Sequence, residues 1–208
     1  MIITDVKKTK KGRYALMVDG GFLFSVHKDT FLTTNLTAGM EFAPRQLEEL
    51  RVLDERHSAV QSALDVLSRT AQSSGMLYEK LLRYYSQEAT LLAIQRMEEL
   101  GLLDDLDYGM RLSRDMINLR GYSLRRVRQG LLQKKLSAQI IDEVMEQFEE
   151  HDEADPIISL ILKKYKDKIF DKDGLRKTIA ALQRRGFGYD DIKAALGRIE
   201  EEELYLDP

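Results

Sequence analysis

The fold is decided by a stretch near the C-terminus, LQRRGFGYDDIKAALGRI at residues 182–199, which has an upstream counterpart, LLQKKLSAQIIDEVMEQF at residues 131–148. In both copies a short turn is followed by apolar residues at i, i+3, i+4 and i+7, the spacing of one helix face. A third copy lies further upstream. The equivalent positions are Thr90, Ala93, Ile94 and Met97, then Ile141, Val144, Met145 and Phe148, then Ile192, Ala195, Leu196 and Ile199. Each set is predicted to pack against the preceding helix.

Two further positions recur in each copy. An apolar residue follows the turn at Tyr85, Leu136 or Phe187, and a leucine lies upstream at Leu81, Leu131 or Leu182. Repetition at this period is typical of stacked helical units. The sequence therefore predicts a mainly α fold, an elongated array of three tandem three-helix repeats. The predicted repeats span residues 57–106, 107–155 and 156–208.

The N-terminal segment has a different pattern. RYALMV at residues 13–18 and FLFSV at residues 22–26 are β-prone, and Asp19-Gly20-Gly21 between them favours a tight hairpin turn. These features predict a small β-hairpin module at residues 1–42. Pro44 then precedes a stretch rich in leucine and glutamate, which predicts a connecting helix at residues 43–56.

The composition argues against several function classes. The chain has no cysteine, so it has no thiol nucleophile and no thiolate metal site. No segment is apolar for long enough to be a signal peptide or a membrane span. The histidines lack metal-ligand spacing, and glycine-rich phosphate loops do not occur. Asp104, Asp105 and Asp107 are more typical of a helix cap than of a catalytic site. We expect a cytoplasmic protein that is not an enzyme and needs no metal or cofactor.

The net charge of −3 argues against a uniformly basic protein, but the charges are segregated. From Arg111 to Lys135 the only acidic residue is Asp115. Residues 142–155 instead carry many acidic residues and no lysine or arginine. This acidic segment is interpreted either as a solvated helix face with a linker or as an electrostatic partner for a basic surface.

Basic residues recur on the second and third repeats and are the candidate binding residues. They are Arg111, Arg114, Arg120, Arg125, Arg126, Arg128, Lys134, Lys135, Lys163, Lys164, Arg176, Lys177, Arg184 and Arg185. Such clusters contact phosphates or acidic protein surfaces. Alternatively, cations near helix C-termini only complement the helix dipole, an interpretation left open for Arg184 and Arg185. Binding is favoured for Arg120–Arg128, because a helix start disfavours positive charge.

Tyr84, Tyr85, Tyr122 and Tyr189 are candidates for stacking on nucleic-acid bases. Tyrosines at such turns more often pack with a solvated hydroxyl group. The packing interpretation is therefore preferred, and stacking stays the alternative.

Three segments resemble the tandem helical repeats of the RecX regulatory family, bacterial modulators of the RecA recombinase. They are YSQEATLLAIQRMEELGLLDDLDYG, SLRRVRQGLLQKKLSAQIIDEVM and LQRRGFGYDDIKAAL. ALDVLSR at residues 63–69 is similar to the family's first repeat, and residues 1–42 resemble an N-terminal extension of some members. Two positions depart from the family pattern. Lys135 stands where a glycine is usual, and Thr90 replaces an aliphatic residue.

The resemblance implies a function. Members bind the RecA filament on single-stranded DNA, lie in its helical groove, and inhibit ATP hydrolysis and strand exchange. The expected partner is therefore the RecA filament, with direct contact to single-stranded DNA left open, and the protein is expected to be a monomer without membrane contact. One alternative is a protein that binds nucleic acid directly through its trihelical repeats. Another is a scaffold for a different helical protein.

Overall fold

The computed structural model describes residues 1–148 and 154–206, with side chains described as far as residue 201. The chain divides into two compact units, residues 1–104 and residues 105–208. Helices predominate in both units, and a small antiparallel sheet opens the first. The predicted mainly α fold class is confirmed. The elongation of the array and the five domain boundaries stay predictions.

The first unit begins with three antiparallel strands in the order β1-β2-β3. These are β1 (Asp5–Lys8), β2 (Tyr14–Val18) and β3 (Gly21–Val26). The predicted hairpin is β2-β3, and its turn has positive φ at Asp19 and Gly20. The strand β1 was not predicted, because DVKK is short and only its pairing with β2 makes it a strand.

Two helices follow the sheet, α1 (Lys28–Thr34) and α2 (Pro44–Leu67). Pro44 occupies the first helical position of α2, where its missing N–H costs nothing. The helix α2 is continuous across the predicted connector and the first helix of the first repeat. Its N-terminal half packs on the sheet through Leu50, beside Ile3, Leu16 and Val26.

Arg13 fastens the sheet to α2. Its Nη2 atom donates to the Ser25 carbonyl at 2.7 Å and to Asp54 at 2.5 Å, and its Nη1 atom donates to Ser58 Oγ at 3.0 Å. The Asp54 carboxylate also accepts from the His27 backbone N–H and from Thr30 Oγ1. A partly buried carboxylate needs such partners, so this network holds the β module in place.

The first unit ends with α3 (Ser74–Leu81) and α4 (Gln87–Glu99), which pack on the second half of α2. Thr90, Ala93, Ile94 and Met97 are all buried, so the predicted stripe is confirmed. The Thr90 hydroxyl oxygen is buried without a partner among the described residues. Thr90 therefore leaves a buried hydroxyl group without a hydrogen bond among the described residues, which is unfavourable and which an aliphatic residue would avoid.

The second unit contains the second and third repeats. Its helices are α5 (Asp105–Asn118), α6 (Leu124–Gln133), α7 (Ala138–Glu146), α8 (Ala154–Lys164), α9 (Lys172–Arg184) and α10 (Tyr189–Leu206), with a short 3₁₀ turn at Lys166–Lys168. Ile141 and Val144 of α7 are buried, as are Ile192, Ala195 and Ile199 of α10. The predicted stripes of both repeats are confirmed.

Serine begins the helices that follow the turns. The hydroxyl oxygens of Ser86 and Ser137 accept from the backbone N–H groups of Ala89 and Ile140, so each serine is the N-cap of its helix, α4 or α7. Gly101 ends α4 with φ of 65°. Lys135, at the position equivalent to Gly186, has a φ of 60°. This left-handed conformation favours glycine, in agreement with the glycine that is usual at this position.

The acidic segment at residues 142–155 falls partly outside the described residues, because residues 149–153, including His151, are not described. Its two interpretations stay predictions. Within the part of the chain that the structure describes, no helix is both long enough and apolar enough to cross a membrane.

Candidate partner-binding surface

The start of α6 contacts the third repeat through backbone atoms. The Ser123 N–H donates to the Arg185 carbonyl oxygen at 3.1 Å. Ser123 is also the N-cap of α6, because its Oγ atom accepts from the Arg126 N–H. The turn that ends α9, Arg184-Arg185-Gly186, therefore lies against the first turn of α6.

Gly186 makes this close approach possible. Its φ is +99°, a conformation that side chains disfavour. A Cβ atom at this position would lie 2.7 Å from the Cβ atom of Arg126 and would also overlap Ser123 Oγ. Only glycine allows the two turns to touch without displacement.

Four arginines lie near the contact between the first turn of α6 and the end of α9. Arg125 and Arg184 are exposed and form no ion pair within the described part of the chain. Arg126 and Arg185 are half-buried. The Arg126 guanidinium lies 5.9 Å from the Tyr122 ring centroid and donates to Gln129 at 3.3 Å, and Arg185 Nη1 donates to the Ala181 carbonyl oxygen at 3.4 Å.

A cleft of about 270 Å³ lies beside this contact, between the end of α5 and one face of α8. Gly121, with φ of +63°, approaches Leu160 so closely that a Cβ atom would lie 3.0 Å from Leu160 Cδ1. Arg120, Lys163 and Lys164 line the cleft and are exposed. None of these three cations has an ion-pair partner among the residues described.

The four arginines at the contact and the three cations of the cleft make seven residues, and we call them the junction cluster. It comprises Arg120, Arg125, Arg126, Lys163, Lys164, Arg184 and Arg185. Guanidinium and ammonium groups without acidic partners bind phosphate or carboxylate oxygens. Arg125 also lies in the first helical turn of α6, where the helix dipole opposes positive charge. The cluster therefore has the chemistry of a binding surface for an acidic partner.

The other sequence-predicted candidates have different surroundings. Arg111 pairs with Asp107 at 2.5 Å, Arg128 pairs with Asp142 at 2.6 Å, and Arg176 lies 3.7 Å from Asp173. Exposed pairs of this kind contribute little to stability. Arg114 and Lys177 are exposed on α5 and α9, whereas Lys134 and Lys135 end α6. The role of all these residues in binding stays a prediction.

The sequence pattern did not reveal which basic pairs meet. Arg125 and Arg126 have Arg176 and Lys177 as their counterparts 51 residues later, which is a relation between copies and not a contact. In space the two arginines lie beside Arg184 and Arg185 instead. Gly121 and Gly186 were the available signal, because a glycine at a turn often marks a close approach.

The described residues bring together no group of three histidine or acidic side chains that could hold a metal ion. Asp105 and Asp107 lie in the first turn of α5, where the helix dipole favours negative charge. Their position supports the interpretation of this acidic cluster as the start of a helix.

A family model and several known relatives that match this chain are all named RecX. The family model described as RecX, second three-helix domain, matches residues 104–145, the segment from just before α5 into the last turn of α7. Regulatory protein RecX of Lactobacillus gasseri is 27% identical over 205 residues, covering 97% of this chain and 76% of the relative. Regulatory protein RecX of Clostridioides difficile is 26% identical over 202 residues, covering 95% of each chain. This chain is similar to RecX proteins over nearly its whole length.

A solved RecX structure supports the architecture as well. A crystal structure of regulatory protein RecX matches with a TM-score of 0.68 and 25% identity, covering 93% of this chain and 98% of that chain. The coverage means that this RecX structure shares the fold of most of this chain. The named RecX relatives are regulatory proteins, which is consistent with a regulatory role for this chain.

Proposed function

We propose that this protein regulates the RecA recombinase by binding its filament on single-stranded DNA. It lies along the helical groove of the filament, inhibits ATP hydrolysis and strand exchange, and so modulates recombination, DNA repair and the SOS response. The observation that carries the proposal is the family likeness across nearly the whole chain, to relatives named regulatory protein RecX.

The junction cluster is the proposed contact with the filament. Arg120, Arg125 and Arg184 are exposed cations on turns and on a first helical turn, where they stabilise the fold little. A filament on single-stranded DNA offers acidic side chains and phosphates along its length. Charge complementarity of this kind guides association and sets the register of a complex.

Inhibition in this proposal results from occupancy and not from chemistry. A helix of about 12 residues is about 18 Å long, so successive repeats can contact more than one filament subunit. A protein that bridges subunits opposes the movements and the growth that hydrolysis and strand exchange need. We further propose that it acts as a monomer in the cytoplasm, and its mass in solution by light scattering tests the monomer.

The proposal is tested by titrating the protein into a RecA ATPase assay on single-stranded DNA. We expect amounts below one molecule per RecA subunit to lower the rate, because one molecule affects several subunits. An unchanged rate at several-fold molar excess would contradict the proposal. Repeating the titration at a higher DNA concentration controls for sequestration of DNA, since inhibition through RecA persists when free DNA is abundant.

The alternative function is direct binding of nucleic acid without a recombinase. The segregation of basic residues on the second and third repeats favours it. Such a protein would bind DNA alone, with an affinity that falls steeply as salt rises. Its effect on the ATPase would disappear once DNA is in excess.

A further inference from the structure

A second cleft, of about 420 Å³, lies in the first unit between the edge strand β3, the helix α2 and the turn before α4. It involves none of the junction cluster. Its walls are Phe24 and Ser25 from β3, Arg51 and Glu55 from α2, and Tyr84 before α4. Arg13 and Asp54 form part of its floor.

The polar groups of the floor are already used within the fold. Arg13 donates to Ser25, Ser58 and Asp54 in the network that fastens the β module. The Glu55 carboxylate accepts from the Ser86 N–H at 2.6 Å and from Ser86 Oγ at 2.9 Å, at the start of α4. The charges of Arg13 and Asp54 are therefore paired, and the wall residue Glu55 is hydrogen-bonded to the start of α4, so a ligand would be recognised by the other wall residues.

Besides the Glu55 carboxylate that is bonded to Ser86, the walls present one cation and an exposed aromatic ring. The Arg51 guanidinium lies over the Phe24 ring, 4.6 Å from its centroid, and has no acidic partner among the described residues. Tyr84 is 79% exposed, whereas Tyr85 beside it is held by a hydrogen bond to Ser62. A large exposed ring next to a stacked arginine gains no stability from the fold, which suggests a ligand with a planar group.

A basic turn precedes Arg13, one of the residues that line the cleft. Lys8 ends β1, Lys10 and Lys11 follow it, and Thr9 closes the turn by bonding to the backbone of Arg13. Lys7 pairs with Asp5 at 2.9 Å, but these three lysines have no ion-pair partner in the part of the chain that the structure describes. Arg13 links this turn to α2 and also lines the cleft, so the three lysines lie within five residues of a cleft residue in the chain.

We propose that this cleft binds single-stranded nucleic acid, with a base stacked on Tyr84 and phosphates held by Arg51 and the basic turn. Aromatic rings that stack on bases, beside cations that follow the backbone, are the usual features of such sites. An acidic peptide would use the cations but not the exposed ring. In a duplex the bases are already stacked on each other, so a single strand fits the features better.

The proposal does not rest on RecA binding, and its test contains no RecA. Fluorescence anisotropy with a labelled oligothymidylate measures the affinity of the full-length protein. We expect Tyr84→Ala to weaken binding about tenfold, because one stacked base contributes about 1–3 kcal/mol. Tyr84→Phe keeps the ring and should bind like the parent. Tyr189→Ala, which removes a tyrosine that is 55% exposed in the other unit, should have no effect.

The contribution of Arg51 to binding is tested with two substitutions in α2. Arg51→Gln should weaken binding and lower the slope of log affinity against log salt by about 0.7, the value for one phosphate contact with a single strand. Arg45→Gln is the control, because Arg45 is also exposed on α2 but outside the cleft, where it pairs with Glu49. Thermal melts monitored by circular dichroism should show that each variant is folded.

Four outcomes would overturn this proposal. They are no binding of the oligothymidylate by the parent at low salt, equal losses in Tyr84→Ala and Tyr189→Ala, tighter binding of a duplex of equal length, or displacement of the strand by polyglutamate at the same charge concentration. The last result would indicate an acidic protein partner instead. RecA inhibition is scored separately in the ATPase assay, so failure of either proposal leaves the other testable.

Discussion

The Ser123 backbone N–H donates to the carbonyl oxygen of Arg185 at 3.1 Å, a hydrogen bond that joins the second repeat to the third. Ser123 is also the N-cap of α6, so the same residue begins this helix and is hydrogen-bonded to the third repeat. The same contact brings Arg125 and Arg126 next to the turn of Arg184 and Arg185. The packing of two repeats thus assembles the basic surface.

We expect Gly186→Ala to lower the free energy of unfolding of the second unit by roughly 2–4 kcal/mol. The new Cβ atom combines an unfavourable backbone conformation with overlap against Ser123 and Arg126. Chemical denaturation monitored by circular dichroism measures this loss.

Gly197→Ala is the matched control for that substitution. Gly197 lies in α10, and a Cβ atom there would meet no other atom within 4 Å. Alanine favours the helix by up to about 1 kcal/mol, so this variant should be at least as stable as the parent. Equal destabilisation by the two substitutions would contradict the close contact at Gly186.

Arg125→Glu should weaken binding to the RecA filament about tenfold and leave the fold intact. A glutamate in the first turn of α6 is favourable to the helix dipole, so the melting temperature should not fall. Pelleting of filaments by ultracentrifugation measures the bound fraction.

The double variant Arg125→Glu, Arg126→Glu should bind still more weakly and lose some stability, because Arg126 is half-buried against Tyr122. Lys193→Glu, an exposed charge reversal on α10, is the control and should bind like the parent. If Arg125→Glu binds as well as the parent, the junction cluster is not the contact surface.

Phe187→Ala should cost roughly 3–5 kcal/mol, the usual loss on truncating a core phenylalanine. The side chain is 2% exposed and packs with Leu182 and Ile192 in the core of the third repeat. Hydrogen exchange should accelerate most in α8, α9 and α10, because each repeat is stabilised mainly by its own core and its neighbour. Equally faster exchange in residues 1–104 would indicate a single cooperative core and contradict the modular description.

Lys135→Gly should raise the free energy of unfolding by about 1 kcal/mol. Lys135 has φ of 60°, a left-handed conformation that costs a residue with a Cβ atom roughly 1–2 kcal/mol. The neighbouring Lys134→Gly is the control, since φ of −86° suits any residue and glycine there relieves no backbone strain. A gain in the control but not in Lys135→Gly would contradict this account.

The sequence predicted the helical elements well because their signals are local. Serine caps and i, i+3, i+4 apolar spacing act within one helix, and both α4 and α7 begin where these features place them. The hairpin turn was equally local, since Asp19 and Gly20 set its backbone by their own conformational preferences. In contrast, β1 exists only through its partner β2, and its four residues carry no comparable pattern.

The candidate site was less predictable than the fold. The sequence identified the basic residues, but it could not tell that Arg128 pairs with Asp142 while Arg125 stays without an acidic partner among the described residues. It also gave no weight to the lysines of the β1-β2 turn, because their importance depends on the cleft beside Arg13. A basic side chain is available to bind a partner only when the packing of the fold leaves it without an acidic neighbour.

The sequence by itself determined the three helical repeats and their buried stripes, because apolar periodicity and capping act over a few residues. Only the tertiary structure decided that Ser123 is hydrogen-bonded to Arg185 and that Leu160 packs closely against Gly121. It also decided that the Arg51 guanidinium lies over the Phe24 ring in the cleft that Tyr84 lines. These pairs are far apart in the chain. No local pattern encodes which of many exposed side chains will become neighbours, since that depends on how whole helices and strands pack.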